Sequence, residues 1–172
     1  MIIKYVLFVE LKSMRIIHVP PDGNCFYHCV SKIMKQLLRH HFSHQECRSL
    51  IADLLDTVSG KRVLRRIIGA LPKEKTDRLS EGYSDLFPFL LETNGSCNIK
   101  KVKVAILKNR VYASELEVLI LKKFLDTGFG ITLMVVGNLE DVERKKRKNT
   151  CYLLLRDEHY DIVATNEGSV IF

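Results

Sequence analysis

Pro20-Pro21-Asp22-Gly23-Asn24-Cys25-Phe26-Tyr27-His28 lies early in the chain and joins two kinds of structure. Its first five residues are turn formers: proline fixes φ, glycine takes conformations other residues avoid, and Asp and Asn bond their own backbone. After them Phe26, Cys29, Val30, Ile33, Met34, Leu37 and Leu38 recur at three- and four-residue spacing, which predicts a helix over Cys25–Leu38 with one apolar face. Asn24 falls at its N-cap. Cys25 is thereby the first residue of a helix entered through a glycine-containing turn.

Outward from this stretch, residues 2–11 are almost continuously apolar, β-branched or aromatic and predict a strand, and residues 15–19 predict a second short one. Ser43-His44-Gln45-Glu46 has the form of a capping box. A stripe through Cys47, Leu50, Ile51, Leu54, Leu55 and Val58 follows, and Gly60 is expected to stop it. Val63, Leu64, Ile67, Ile68 and Leu71 predict a third helix. The polar stretch 72–77 reads as a surface loop, and residues 83–91 as a fourth helix cut short by Pro88. Val102, Val104 and Ile106 alternate with lysines, as in a half-exposed strand. Ser114 and Glu117 make a second capping box, opening a helix through Leu125 that Gly128 is expected to close. Residues 131–136, 150–155 and 159–164 read as three more strands. Helices first, then strands with one helix between them, argue for an α+β domain whose sheet comes mostly from the C-terminal half.

The chain has 172 residues, 47% hydrophobic and 27% charged, with 9 Gly and 4 Pro; this is one globular domain and excludes general disorder or a fibre. The five cysteines, at 25, 29, 47, 97 and 151, are odd in number and lack a framework rhythm, which predicts free thiols in a reducing compartment. No apolar run approaches the roughly 20 residues of a membrane helix, and the apolar residues 5–9 are too few for a signal-peptide core. The expectation is a soluble cytoplasmic protein (host cytoplasm if it is viral) with no membrane role. A net charge of +7 raises the question of nucleic acid. The densest basic run, Arg144-Lys145-Lys146-Arg147-Lys148, has no interleaved aromatics and reads as a solvated hairpin or loop, so nucleic acid is not an expected partner.

Thiol catalysis needs a Cys that ionises readily, an imidazole touching it and a group orienting the imidazole. Amide hydrolysis also needs backbone donors for the developing oxyanion. Cys25 meets the first need through its place at a helix N-terminus, where partial positive charge favours a thiolate. The first amides of a helix lack intrahelical partners, so the turn offers donors as well, and Gly23 permits close backbone approach. His159 and Asp161 are two apart in a predicted strand and share a face, which puts Asp161 within reach of one imidazole nitrogen and turns Tyr160 the other way into packing. Bland readings compete: a lone Cys at a helix start is more often a small core residue, and a lone His in a strand a satisfied or surface one.

These residues carry a resemblance. Pro21 to His28 resembles the segment around the nucleophile of the ovarian tumour (OTU) family of cysteine deubiquitinases, and His159-Tyr160-Asp161 is similar to its C-terminal His block. Tyr112 to Glu117, followed by residues 121–125 and 131–136, is similar to its middle helix-strand block. The blocks span about residues 18–164, in the family's order, and the wording is closest to viral members. The family usually has Trp-Gly before the middle helix where this chain has Val111-Tyr112-Ala113, a departure that bears on the substrate channel. Residues 60–109 have no clear counterpart.

The resemblance implies a papain-like OTU fold: a single α+β domain over residues 1–172, core about 15–165, with a central, mostly antiparallel sheet packed between helices and residues 1–14 as an added strand. It implies cleavage of the isopeptide bond after the C-terminal glycine of ubiquitin, polyubiquitin chains or a ubiquitin-like modifier. Cys25 would be the nucleophile, His159 the general base and then acid, and Asp161 its orienting group. Asp22, with the amides of Gly23, Asn24 and Cys25, would support the oxyanion hole. No metal or organic cofactor is implied.

Two rivals stand beside this. Cys25-x-x-His28 and His44-x-x-Cys47 have spacings suited to zinc, as in a basic nucleic-acid-binding module. The other is a catalytically inactive ubiquitin-binding relative. Of the remaining residues, His18 reads as structural, His28 as helix-start packing, and His40, His41 and His44 as a surface cluster. Cys29 reads as buried and inert, Cys97 as loop and Cys151 as strand packing.

Overall fold

The computed structural model describes residues 14–70, 99–145 and 147–172, with side chains in the third helix described as far as Ile67. The expected strand over 2–11, loop over 72–77, helix over 83–91 and loop at Cys97 lie outside the described residues, as does Lys146 of the basic run. The described elements run in the order β1 (Met14–Ile17), α1 (Cys25–Leu38), α2 (His44–Leu54), α3 (Val58–Ala70), α4 (Ile99–Leu107), α5 (Glu115–Phe129), β2 (Thr132–Val136), α6 (Leu139–Lys145), β3 (Thr150–Arg156) and β4 (His159–Thr165).

The strands form one sheet in the order β1-β4-β3-β2. β4 pairs antiparallel with β1 and β3, while β2 and β3 pair in parallel across α6. Alternation along each strand gives the sheet two apolar faces. Leu133, Cys151, Leu153, Ile162 and Ala164 join the main core with Phe26, Cys29, Val30, Ile33 and Met34 of α1 and Leu121 and Leu125 of α5. Val136, Tyr152, Leu154 and Val163 form a smaller core with Val142 of α6. The sheet thus lies between helices, in an α+β arrangement.

Both capping boxes form: Ser43 with Glu46 opens α2, and Ser114 with Glu117 opens α5. Four expectations need correction. Gly60 does not stop a helix; it sits in the first turn of α3, where a Cβ would overlap the Leu54 carbonyl, so glycine is needed for close approach. Residues 102–106 are not a strand but part of α4, because Val102, Ala105 and Ile106 are buried at helical spacing while Val104 is exposed. Helix α5 passes Gly128 and ends at the left-handed Gly130. The basic run does not begin in a loop: Arg144 and Lys145 form the last turn of α6, where positive charge suits the helix dipole.

Candidate active site

Cys25 is the first residue of α1 and only 1% exposed. The preceding turn is held from several sides. Gly23 has φ +78, and a Cβ there would overlap the Arg110 carbonyl, so residues 109–111 lie directly against the turn. Asp22 Oδ1 accepts the Asn24 amide at 2.9 Å, and Oδ2 lies 3.1 Å from His28 Nε2. Burial works against the Asp22 charge, but the hydrogen bonds from His28 and Asn24 and the charge of His28 outweigh it, bringing its pKa down to about 2. The Asn24 amide, expected among the oxyanion donors, is therefore taken by Asp22. Among the described residues the Cys25 amide meets no such acceptor.

Asn24 holds the N-cap position through its backbone, since its carbonyl accepts the His28 amide at 2.9 Å, but its side chain does not cap. The side-chain oxygen instead accepts from the Arg110 amide and from Arg48, and its amide donates to Asn109 Oδ1 at 3.0 Å. Arg48 on α2 is 1% exposed. It also donates to the carbonyls of Gly23, Ile106 and Val111, and its guanidinium stacks on the Tyr27 ring at 3.9 Å. Tyr27 in turn donates to the buried Glu117 at 3.2 Å. Burial, chiefly, pushes the Glu117 carboxyl up.

Within β4, His159 Nε2 lies 3.1 Å from Asp161 Oδ1. Asp161 is nearly inaccessible and has further partners: it accepts the Val19 amide at 3.1 Å, meets His18 Nδ1 at 2.9 Å and lies 3.6 Å from Arg156. Burial raises its pKa, but the bonds from Val19, His18 and His159 prevail and hold it below the usual carboxylate range. The other imidazole nitrogen, His159 Nδ1, is buried without a hydrogen-bond partner among the described residues. Such a group costs roughly 1–3 kcal/mol, and sites of this kind call for a functional explanation. Tyr160 turns away from His159 and packs edge-on against Phe26 at 5.5 Å.

The register of α1 on β4 fixes where Cys25 lies. Cys29 Sγ is 3.7 Å from the Tyr160 carbonyl, and Gln36 bonds Ser169 and the Val170 amide, so helix and strand run in the same direction. Cys25 is one helical turn, about 6 Å, before Cys29 and on the same face. That displacement is about two strand residues, which sets Cys25 opposite the start of β4, where His159 stands. The thiol of Cys29 feels the charges of both Cys25 and Asp161, although burial is the main cause that pushes it up.

Burial also pushes the thiols of Cys47 and Cys151 to about 12, as suits packing residues. His28 meets His44 edge-on at 5.2 Å and pairs with Asp22, whereas Cys47 lies in the core. The zinc reading thus lacks its ligand set: among the described residues no three His, Cys, Asp or Glu side chains converge on a metal-sized site. Sequence reasoning missed Arg48 and the Val19 amide, read Glu117 as a helix cap without its bond from Tyr27, and read His18 as structural without its bond to Asp161. The turn Pro-Pro-Asp after His18 was the available signal, since it returns the chain past β4 just before α1.

The fold thus carries a thiol at a helix N-terminus and a His-Asp pair on the strand against which that helix packs. Solved structures similar to this fold include OTU domains. One, an ovarian tumour (OTU) domain in complex with ubiquitin, is 18% identical, with a TM-score of 0.51 over 92% of this chain and 74% of that one. Another, the viral OTU domain protease from Dera Ghazi Khan virus, is 16% identical, with a TM-score of 0.51 over 90% of this chain and 83% of that one. The sequence matches no family model and no curated protein.

Proposed function

We propose that this chain is a cysteine-type deubiquitinase that cleaves the isopeptide bond after the C-terminal glycine of ubiquitin or a ubiquitin-like modifier. The observation that carries the reading is the pair of nitrogens on the half-buried His159 ring: Nε2 is held by Asp161, and Nδ1 is buried without a partner among the described residues. The shared fold with an OTU domain bound to ubiquitin and with a viral OTU protease supports the substrate class.

In this mechanism His159 Nδ1 takes the Cys25 proton and the thiolate attacks the scissile carbonyl. The oxyanion is met by the Cys25 and Gly23 amides. His159 returns the proton to the leaving lysine amine as the C–N bond breaks, leaving a thioester on Cys25. Water, deprotonated by His159, then releases ubiquitin and the free thiol. Asp161 fixes the imidazole's tautomer and orientation. A buried thiol suits a substrate that enters as a narrow, extended Gly-Gly tail.

Turnover of ubiquitin carrying a C-terminal fluorogenic amide tests this. Cys25→Ala and His159→Ala should each lose at least about 10³-fold in kcat, and Asp161→Ala less, about 10²-fold. Undiminished turnover by Cys25→Ala would refute the nucleophile. A wild-type protein that binds ubiquitin but does not turn it over would favour an inactive binder.

A further inference from the structure

We propose that Arg48 is a positioning residue of this site: it locks the turn before Cys25 to the segment 106–111, and so fixes the orientation of the Gly23 and Cys25 amides. The kinetic part of the proposal rests on the reading given above; the structural part does not.

Arg48 is buried with no carboxylate among its bonded partners. Nε and one terminal nitrogen both donate to Asn24 Oδ1, at 3.0 and 2.7 Å. That terminal nitrogen also donates to the Gly23 carbonyl at 3.2 Å and the Val111 carbonyl at 2.6 Å, and the other donates to the Ile106 carbonyl at 2.8 Å. A buried cation is costly unless its donors are met. Here every acceptor is a neutral oxygen, three of them main-chain, drawn from two segments that meet nowhere in sequence. An apolar side chain would leave these oxygens without their donors, and a lysine would bring only three donors on one flexible stem. What a guanidinium adds is a rigid planar fork that holds several oxygens in one fixed arrangement.

The oxygens it holds are informative. The Gly23 carbonyl belongs to the peptide unit between Gly23 and Asn24, so holding it restrains rotation of the turn that presents both proposed oxyanion donors. Asn24 carries the same restraint across to the Arg110 amide and to Asn109. The Val111 carbonyl immediately precedes Tyr112, which is 55% exposed beside the turn. Arg48 therefore stands behind the nucleophile's turn and sets it against the neighbouring loop without being able to touch substrate.

The test is Arg48→Lys, which keeps the charge and loses the fork, with Asn24→Ala as a second variant that removes the shared acceptor but leaves Arg48 its carbonyls. Each is assayed with ubiquitin carrying a fluorogenic amide, by alkylation of Cys25 with iodoacetamide, and by amide hydrogen exchange. The expected signature is a kcat lower by about 100-fold with KM within about threefold, because a misaligned oxyanion hole is felt in the transition state. Alkylation, which needs no oxyanion hole, should stay within about threefold. Exchange at residues 22–26 and 109–112 should rise by at least about tenfold while α1 beyond Cys29 stays protected. If Arg48→Lys does not fold, Asn24→Ala alone must give this signature. Wild-type kcat and exchange in either folded variant would overturn the proposal. So would a parallel loss of kcat, alkylation rate and protection along all of α1, which is the mark of a purely structural residue. A wild-type protein inactive on ubiquitin would defeat the proposed function, while the exchange comparison would still decide what Arg48 holds.

Discussion

Asp22 and Asp161 are both carboxylates stabilised in the charged form, for different purposes. Asp161 holds the His159 imidazole; Asp22 closes the turn before Cys25 and pairs with His28. Because the Asp22 pKa falls from 3.8 to about 2 on folding, its charge stabilises the fold above about pH 4, and that contribution disappears as pH falls toward 2. Asp22→Asn should therefore lower the thermal midpoint near neutral pH, and the gap from wild type should close as pH drops through that window. A gap of unchanged size at about pH 2 would contradict the role given to this carboxylate. Cys25, His159 and Asp161 stood out as candidates because each sits where local geometry has chemical meaning, a helix start and alternate positions of one strand, and because those blocks resemble the OTU family's. Arg48 was not legible. Within its own helix it reads as one more solvated cation, and its acceptors are 25, 58 and 63 residues away, where only the folded chain brings them.

At the level of elements, the β3–β4 hairpin sets the register that puts His159 opposite Arg156 and Asp161 opposite Leu154. Its two loop residues, Asp157 and Glu158, both have positive φ, at 47° and 62°. Two-residue hairpins favour this backbone, and glycine takes it without strain. Glu158→Gly should raise stability by about 1 kcal/mol in a denaturant titration and leave turnover intact. A loss of stability would mean that Glu158 makes a contact that outweighs its backbone strain. Gly60→Ala should go the other way, costing more than about 2 kcal/mol, because the methyl meets the main chain at the end of α2. The same helix junction shows why the sequence misled: glycine commonly ends helices, yet here it admits close packing between α2 and α3. The misreading of α4 had a similar origin. Valines alternating with lysines imitate a strand, and only Ala105, too small to count as a signal, completes the helical stripe.

Over the whole molecule, the sheet separates two apolar clusters that do different work. The main core carries α1 and with it Cys25. The smaller cluster, centred on Val142, Tyr152 and Val163, lies behind the sheet. Val142→Ala should cost about 1–3 kcal/mol through lost burial and the cavity left, yet leave kcat within about twofold, since it does not touch the face on which α1 packs. A large fall in kcat at unchanged folded fraction would show that the two faces are coupled. The α+β class could be anticipated from the order of elements, and the mostly antiparallel sheet from the resemblance to OTU domains. The strand order could not, because β1 joins β4 through pairs such as Met14 with Thr165 and Ile17 with Ile162, from opposite ends of the chain, and no local pattern encodes that pairing.

The central claim is that Cys25 is a nucleophile presented to the tail of ubiquitin. Its most direct test is reaction of the folded protein with ubiquitin bearing a thiol-reactive group at its C-terminus, followed by peptide mapping. The account predicts a one-to-one covalent adduct at Cys25, absent in Cys25→Ala and slowed in His159→Ala. An adduct at another cysteine, or none with folded wild-type protein, would contradict it.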